Sequence, residues 1–133
     1  MASGIYDRFK ANLMNKIVDM ESDTIRVALY DNSHSFTAGD TAYTSTNEVS
    51  GTGYSAGGEA LASKAVTEAS TTKFDATDTA WTSASFTAYH AVMYDDTLAG
   101  NDLIASIDFG GAQTVTAGTF TIQWNASGII TLA

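Results

Sequence analysis

Alternation of apolar and polar residues with a period of two dominates this 133-residue chain and most constrains its fold. Such alternation places one set of side chains on each face of a strand. The strands are short and are separated by Gly, Asn and Asp turns, with no proline in the chain. This pattern predicts a mainly β protein, an antiparallel β-sandwich or barrel of jelly-roll type. The apolar members of three runs are Ile25, Val27 and Leu29; Leu103, Ala105, Ile107 and Phe109; and Phe120, Ile122 and Trp124.

A fourth run lies in "SFTAYHAVMYDD" and leads into an acidic turn. The turn "DDTLAGND" consists of residues that tolerate turn geometry, so the strand that ends at Tyr94 and the strand that begins at Leu103 are expected to be neighbours. Strict alternation predicts that the following side chains share one face: Phe86, Ala88, His90, Val92 and Tyr94.

The N-terminal segment from Ile5 to Met20 has a helical period instead. This predicts one amphipathic helix over residues 5–20 in a single β-domain of residues 1–133. The helix either packs on its own sheet or docks on a partner. Its apolar arc comprises Ile5, Tyr6, Phe9, Leu13, Ile17 and Met20.

The region after the first strand has no sustained period and many turn formers. We expect long loops there, and loops of this length in a small domain usually make a functional contact. "GTGYSAGGEAL" is interpreted as a flexible surface loop, because its glycine spacing does not fit a dinucleotide or phosphate loop. "ALASKAVTEA" is compatible with a helix or a strand, and the strand is favoured.

The net charge is −9, and all six Lys and Arg lie at or before Lys73. An acidic surface repels phosphate backbones, which argues against nucleic-acid binding. There is no cysteine, so disulfides and thiolate metal sites are excluded. No signal peptide and no apolar run of bilayer length is present, which predicts a soluble protein made in the cytoplasm and not bound to membranes.

The stretch from Ala88 to Gly111 is the candidate for metal or acid–base chemistry, since it holds one histidine and four aspartates. A calcium loop is not supported, because Thr97 and Ala99 occupy ligand positions and no Glu follows. A zinc site needs closely spaced His or Cys, whereas His34 and His90 are far apart in sequence. We therefore predict no metal site, no cofactor and no catalytic residues, and hence a protein that is not an enzyme. An alternative is a carbohydrate-binding module with a stacking platform of Trp81, Trp124, Tyr43 and Tyr54.

The succession of segments resembles small virion structural proteins of tailed bacteriophages and prophages. The segments are "SDTIRVALYD", "NEVSGTGYSAGGEALASKAVT", "KFDATDTAWTSASFTAYHAVMYDD", "LIASIDFGG" and "GTFTIQWNASGIITL". The resemblance implies a capsid decoration (cement) protein that is located in the virion and stabilises the head by bridging capsid subunits. A tail, collar or fibre component is the alternative.

The resemblance also implies the partners. They are the major capsid protein or another virion protein, together with copies of the chain itself in a homo-oligomer for which a trimer is favoured. No catalytic residue is implied. The partner-interface candidates are Ile5, Tyr6, Phe9, Leu13, Ile17, Tyr43 and Tyr54.

Overall fold

The computed structural model describes residues 3–133 and shows a mainly β protein with one short helix. The elements are β1 (Gly4–Ile5), α1 (Asp7–Met14), β2 (Ile25–Tyr30), β3 (Glu59–Ala60), β4 (Ala65–Thr67), β5 (Thr72–Asp75), β6 (Thr79–Asp95), β7 (Asp102–Ile122) and β8 (Ile130–Leu132). The predicted fold class is confirmed: the sheets are antiparallel and sandwich-like, and they do not close into a barrel.

Two sheets make up the molecule. The larger has the order β1-β7-β6-β2-β3 and the smaller the order β4-β5-β8. The long strands β6 and β7 form a hairpin that closes through residues 96–101, so the acidic turn lies where the sequence predicted it. The segment favoured as a strand, residues 60–69, contains the short strand β4 and begins at the last residue of β3.

The main core lies between one face of the larger sheet, the helix and the smaller sheet. Ile25, Val27 and Leu29 point into it from β2, whereas Ala28 and Tyr30 point to the opposite face, as the alternation predicted. That opposite face is also buried, because the long loop between β2 and β3 contributes Phe36 and Tyr43 to a second apolar cluster. The loop therefore covers a sheet face that would otherwise meet water.

The predicted alternation of β6 is wrong beyond Ala88. Its pairing with β7 is irregular between Ala88 and His90, and the four residues Phe109 to Ala112 stand opposite the single Tyr89. A bulge of this kind changes the phase of the side chains. Phe86 and Ala88 belong to the main core, whereas Val92 and Tyr94 belong to the second cluster.

The helix is shorter than predicted, because it begins at Asp7 and ends at Met14, and Gly4–Ile5 pairs as a strand with β7. Asn15 is its C-cap, and Lys16 has a positive φ of 60°, a conformation that ends a helix. Phe9 is buried in the main core, so the helix packs on its own sheet.

The glycine-rich loop lies at the surface, as predicted, and its backbone approaches the sheets closely at two glycines. Gly58 has a φ of +77°, and a Cβ there would lie 1.8 Å from the Val27 carbonyl oxygen. A Cβ on Gly51 would lie 2.6 Å from the Ser85 carbonyl oxygen. These glycines allow a close approach of backbones that a side chain would prevent.

Candidate functional site

The Ala88 to Gly111 stretch does bring its histidine and one aspartate together. His90 of β6 pairs across the hairpin with Asp108 of β7, and Nδ1 of His90 lies 3.9 Å from Oδ1 of Asp108. The long loop places His34 beside them, with the two imidazole centroids 5.0 Å apart. Nε2 of His34 lies 3.3 Å from Oγ of Ser106. The fold thus joins two histidines that are distant in sequence.

This cluster is not arranged as a catalytic triad. Asp108 faces His90, whereas Ser106 faces His34, so no single imidazole links the hydroxyl to the carboxylate. Ser106 is buried, which keeps a substrate away from its Oγ. Among residues 3–133, no group of three His, Asp or Glu side chains is placed to hold a metal ion.

The surroundings of both imidazoles favour the neutral form. Burial lowers the pKa of His34, with a further contribution from His90, and burial likewise lowers the pKa of His90 against the opposing charge of Asp108. Nε2 of His90 is buried and has no hydrogen-bond partner in the described structure. We interpret the pair as a packed element that connects the long loop to the hairpin.

A second polar cluster is centred on Glu48 in the long loop. Its carboxylate accepts hydrogen bonds from the hydroxyls of Tyr43 (2.5 Å) and Tyr54 and from the backbone N–H of Gly57 (2.8 Å). The ring of Tyr43 stacks on Tyr94 with centroids 4.5 Å apart. Burial raises the pKa of Tyr43 and of Tyr54, and the hydrogen bonds to Glu48 raise both further. The cluster therefore fastens the long loop to the sheet with protonated phenols.

A buried carboxyl group lies at the end of β6. Asp95 is fully buried, its Oδ1 accepts the N–H of Thr97 at 3.0 Å, and its Oδ2 has no partner in the described structure. Burial, with the neighbouring Asp23 carboxylate, raises the pKa of Asp95 to about 7. Protonation removes the charge from this buried site, where ionisation would be penalised by burial and by the neighbouring Asp23 carboxylate.

The four aromatic residues considered for a sugar platform do not form one. Trp81 is buried in the main core, Trp124 packs against that core, and Nε1 of Trp124 donates to Oγ1 of Thr79 at 3.1 Å. Tyr43 and Tyr54 are engaged with Glu48. A stacking platform needs exposed ring faces, whereas Trp81 is buried and the other three rings are half-buried.

The partner-interface candidates are divided by their exposure. Tyr6 and Phe9 are only 1% and 3% exposed, so within this fold their side chains contact their own chain. Ile5 and Leu13 are half-buried against the main core. Ile17 is 49% exposed and is the candidate with the most surface available to a partner. Tyr43 and Tyr54 are half-buried in the Glu48 cluster.

Sequence reasoning missed an apolar groove between the helix region and the smaller sheet. We call it the apolar groove, and it has a volume of about 80 Å³. Its lining residues are Phe9, Leu13, Met20, Val66, Thr72, Lys73, Phe74, Ile130 and Leu132. Within residues 3–133 the exposed large hydrophobic side chains are Met14, Ile17, Val66 and Leu132, at 90%, 49%, 43% and 58%. Two of them line the groove, and Met14 and Ile17 lie close in sequence to Leu13, which also lines it.

Comparison with known proteins adds no family. A scan against protein-family models, a search of curated proteins and a search of solved structures each find no match. Within residues 3–133, no helix has the length and apolar character needed to cross a membrane.

Proposed function

We propose that this chain is a structural protein of a tailed-phage virion, and that it acts as a capsid decoration protein by binding across neighbouring capsid subunits. The proposal rests on the resemblance of the successive segments and on one structural observation, the apolar groove. The partner is the major capsid protein, and the chain works by surface contact.

The groove supports a contact function because exposed apolar surface is unfavourable in water. Contiguous exposed apolar surface on a soluble domain commonly marks an interaction site. Here the exposed side chains Val66 and Leu132 project beside the half-buried Leu13 and the buried Met20. Full burial of an exposed side chain of this size contributes about 1.5–3 kcal/mol, and roughly half of that is still available at Val66 and Leu132, which are 43% and 58% exposed. A few of them are sufficient for the centre of a binding surface.

The net charge of the chain favours a basic counterpart. The chain carries 15 acidic and six basic residues. Arg8, Lys10 and Arg26 already lie within 4 Å of carboxylates of the same chain. Acidic surface left in excess steers the chain toward positively charged surfaces and away from nucleic acid.

Co-sedimentation with empty expanded capsids tests the proposal and the role of the groove together. Wild-type protein should sediment with the capsids, and Leu132→Asp should lose most of this binding because it places a carboxylate on the groove. Thr131→Asp is the matched control, since Thr131 is exposed on the same strand but does not line the groove. It should bind like the wild type.

The alternative location is in the tail, collar or fibre. Immunogold labelling of whole particles separates the two locations directly. Labelling of heads supports decoration, whereas labelling confined to tails would replace the capsid partner by a tail protein.

A further inference from the structure

The outer edge of β7 changes character along its length. From Asn101 to Asp108 it is covered, because Thr41 and Tyr43 bond to its beginning and Ser3 to Tyr6 bond to the part that follows. Beyond Asp108, the described chain places no strand and no backbone partner on this side of β7, while β6 pairs with the opposite side. β7 therefore presents open backbone donors and acceptors toward its C-terminal end.

This open edge lacks the usual protection against pairing. Soluble proteins commonly place charged residues, especially lysine, or proline on such edges. From Phe109 to Ala133 the chain has neither proline nor any charged residue, although its net charge is −9. The open edge thus lies in the uncharged part of a strongly acidic molecule.

Bulges limit where another strand can pair. The Phe109–Ala112 bulge lies at one end, and Thr116 and Ala117 bulge opposite Ser85, with Ala117 at a φ of 48°. The segment Gly118–Ile122 follows without an extra residue in β7. We call Gly118–Ile122 the open segment. It borders a groove of about 410 Å³ whose apolar walls include Phe109, Val115 and Phe120.

We infer that the open segment is an interface between copies of this chain, in which two open segments pair antiparallel. Two copies that each carry −9 repel one another over most of their surface. Two open segments can meet without bringing like charges together. Each edge then supplies hydrogen-bond partners for the unpaired backbone N–H and C=O groups of the other. The Thr116–Ala117 bulge and the end of β7 at Ile122 limit the length of the pairing, and the twofold relation closes the contact as a dimer.

This inference goes beyond the proposed function and does not depend on it. Pairing about a twofold axis gives a dimer, and the trimer that the resemblance implies is the competing outcome. A decoration role is compatible with either assembly, so failure of this inference leaves the capsid-binding test unaffected.

Charge substitutions on the open segment test the inference by light scattering coupled to size exclusion. Thr119 and Thr121 are exposed. The wild type should have the mass of a dimer. Thr119→Glu/Thr121→Glu should have the mass of a monomer, and Thr119→Lys/Thr121→Lys likewise. An equal mixture of the two variants should regain the dimer, because opposite charges then meet across the pair.

Thr67→Glu is the matched control, since it adds one carboxylate to an exposed strand position of the smaller sheet. It should remain dimeric. Circular dichroism of each variant checks that the fold is retained. A wild type that is monomeric at every concentration, a wild type that is trimeric, or a dimer that persists in both the Glu and the Lys variants would overturn the inference.

Discussion

The buried Asp95 makes the stability of the fold depend on pH near neutrality. Its side chain is 0% exposed and its pKa is raised from 3.8 to about 7. A carboxyl group whose pKa is higher in the folded state than in the unfolded state stabilises the fold while it is protonated. That contribution is fully present below pH 3.8 and is lost as the pH rises to about 7.

The size of this loss follows from the shift. At about 1.4 kcal/mol for each pKa unit, the charged form of Asp95 costs the folded protein ~4 kcal/mol above pH 7. Asp95→Asn keeps the shape and the oxygen that accepts the N–H of Thr97, and it cannot ionise. The variant should therefore exceed the wild type in free energy of unfolding by ~2–4 kcal/mol at pH 8 and by only about 1 kcal/mol at pH 4.5.

Urea unfolding at both pH values measures this difference, with the fluorescence of the buried Trp81 as one reporter. Glu68→Gln is the control, because Glu68 is exposed and should leave the wild-type pH dependence unchanged. If Asp95→Asn and the wild type show the same change in stability between pH 4.5 and 8, the Asp95 argument is wrong.

Three further substitutions, two of them paired with control variants, test the packing. Glu48→Gln replaces the charged acceptor of three hydrogen bonds and should lower the free energy of unfolding by about 1–3 kcal/mol in urea titrations; an unchanged midpoint would contradict the fastening role of the cluster. Phe9→Ala should lower the free energy of unfolding by about 3–5 kcal/mol, because Phe9 is buried in the main core. Met14→Ala, at a 90% exposed position, should change it by less than about 0.5 kcal/mol. Equal effects in urea titrations would mean that the helix does not pack on its own sheet. Gly58→Ala should prevent folding or lower the melting temperature strongly, whereas Gly39→Ala, with no atom within 4 Å of its Cβ, should fold normally. Calorimetry that finds the same melting temperature for both variants would refute the close approach of the Gly58 backbone to Val27.

The strands were predictable from the sequence because each half-buried strand carries its own period. Ile25, Val27 and Leu29 enter the main core as the alternation indicated, and the acidic turn joins two neighbouring strands. The phase of β6 was not predictable in the same way. It depends on the bulge at Phe109–Ala112, which belongs to the partner strand and appears only when the pairing is known.

The helix shows a similar limit. Its apolar arc extends to Met20 in sequence, and Met20 is indeed buried, but the chain leaves the helix after Met14 and reaches the core by a turn. Lys16 has a positive φ although it is not a glycine, so the sequence does not indicate that the helix ends there. The apolar spacing therefore predicted correctly that Met20 is buried, but it did not predict where the helix ends.

The Glu48 cluster does have a signal in the sequence. Glu48 is the one charged residue between Thr41 and Gly58, and tyrosines stand on both sides of it. An isolated carboxylate in a neutral run is expected to find donors. The meeting of His34 with His90 had no such signal, since it results from the path of the long loop across the sheet.

The melting temperature of empty expanded capsids, measured with and without saturating protein, tests the capsid-decoration proposal most directly. The proposal predicts that the capsids melt at a higher temperature with the wild-type chain, because a ligand that binds the assembled state stabilises it. It also predicts that Leu132→Asp loses this increase while Thr131→Asp retains it. An unchanged melting temperature, with the protein absent from every head form and recovered only in tail fractions, would contradict it.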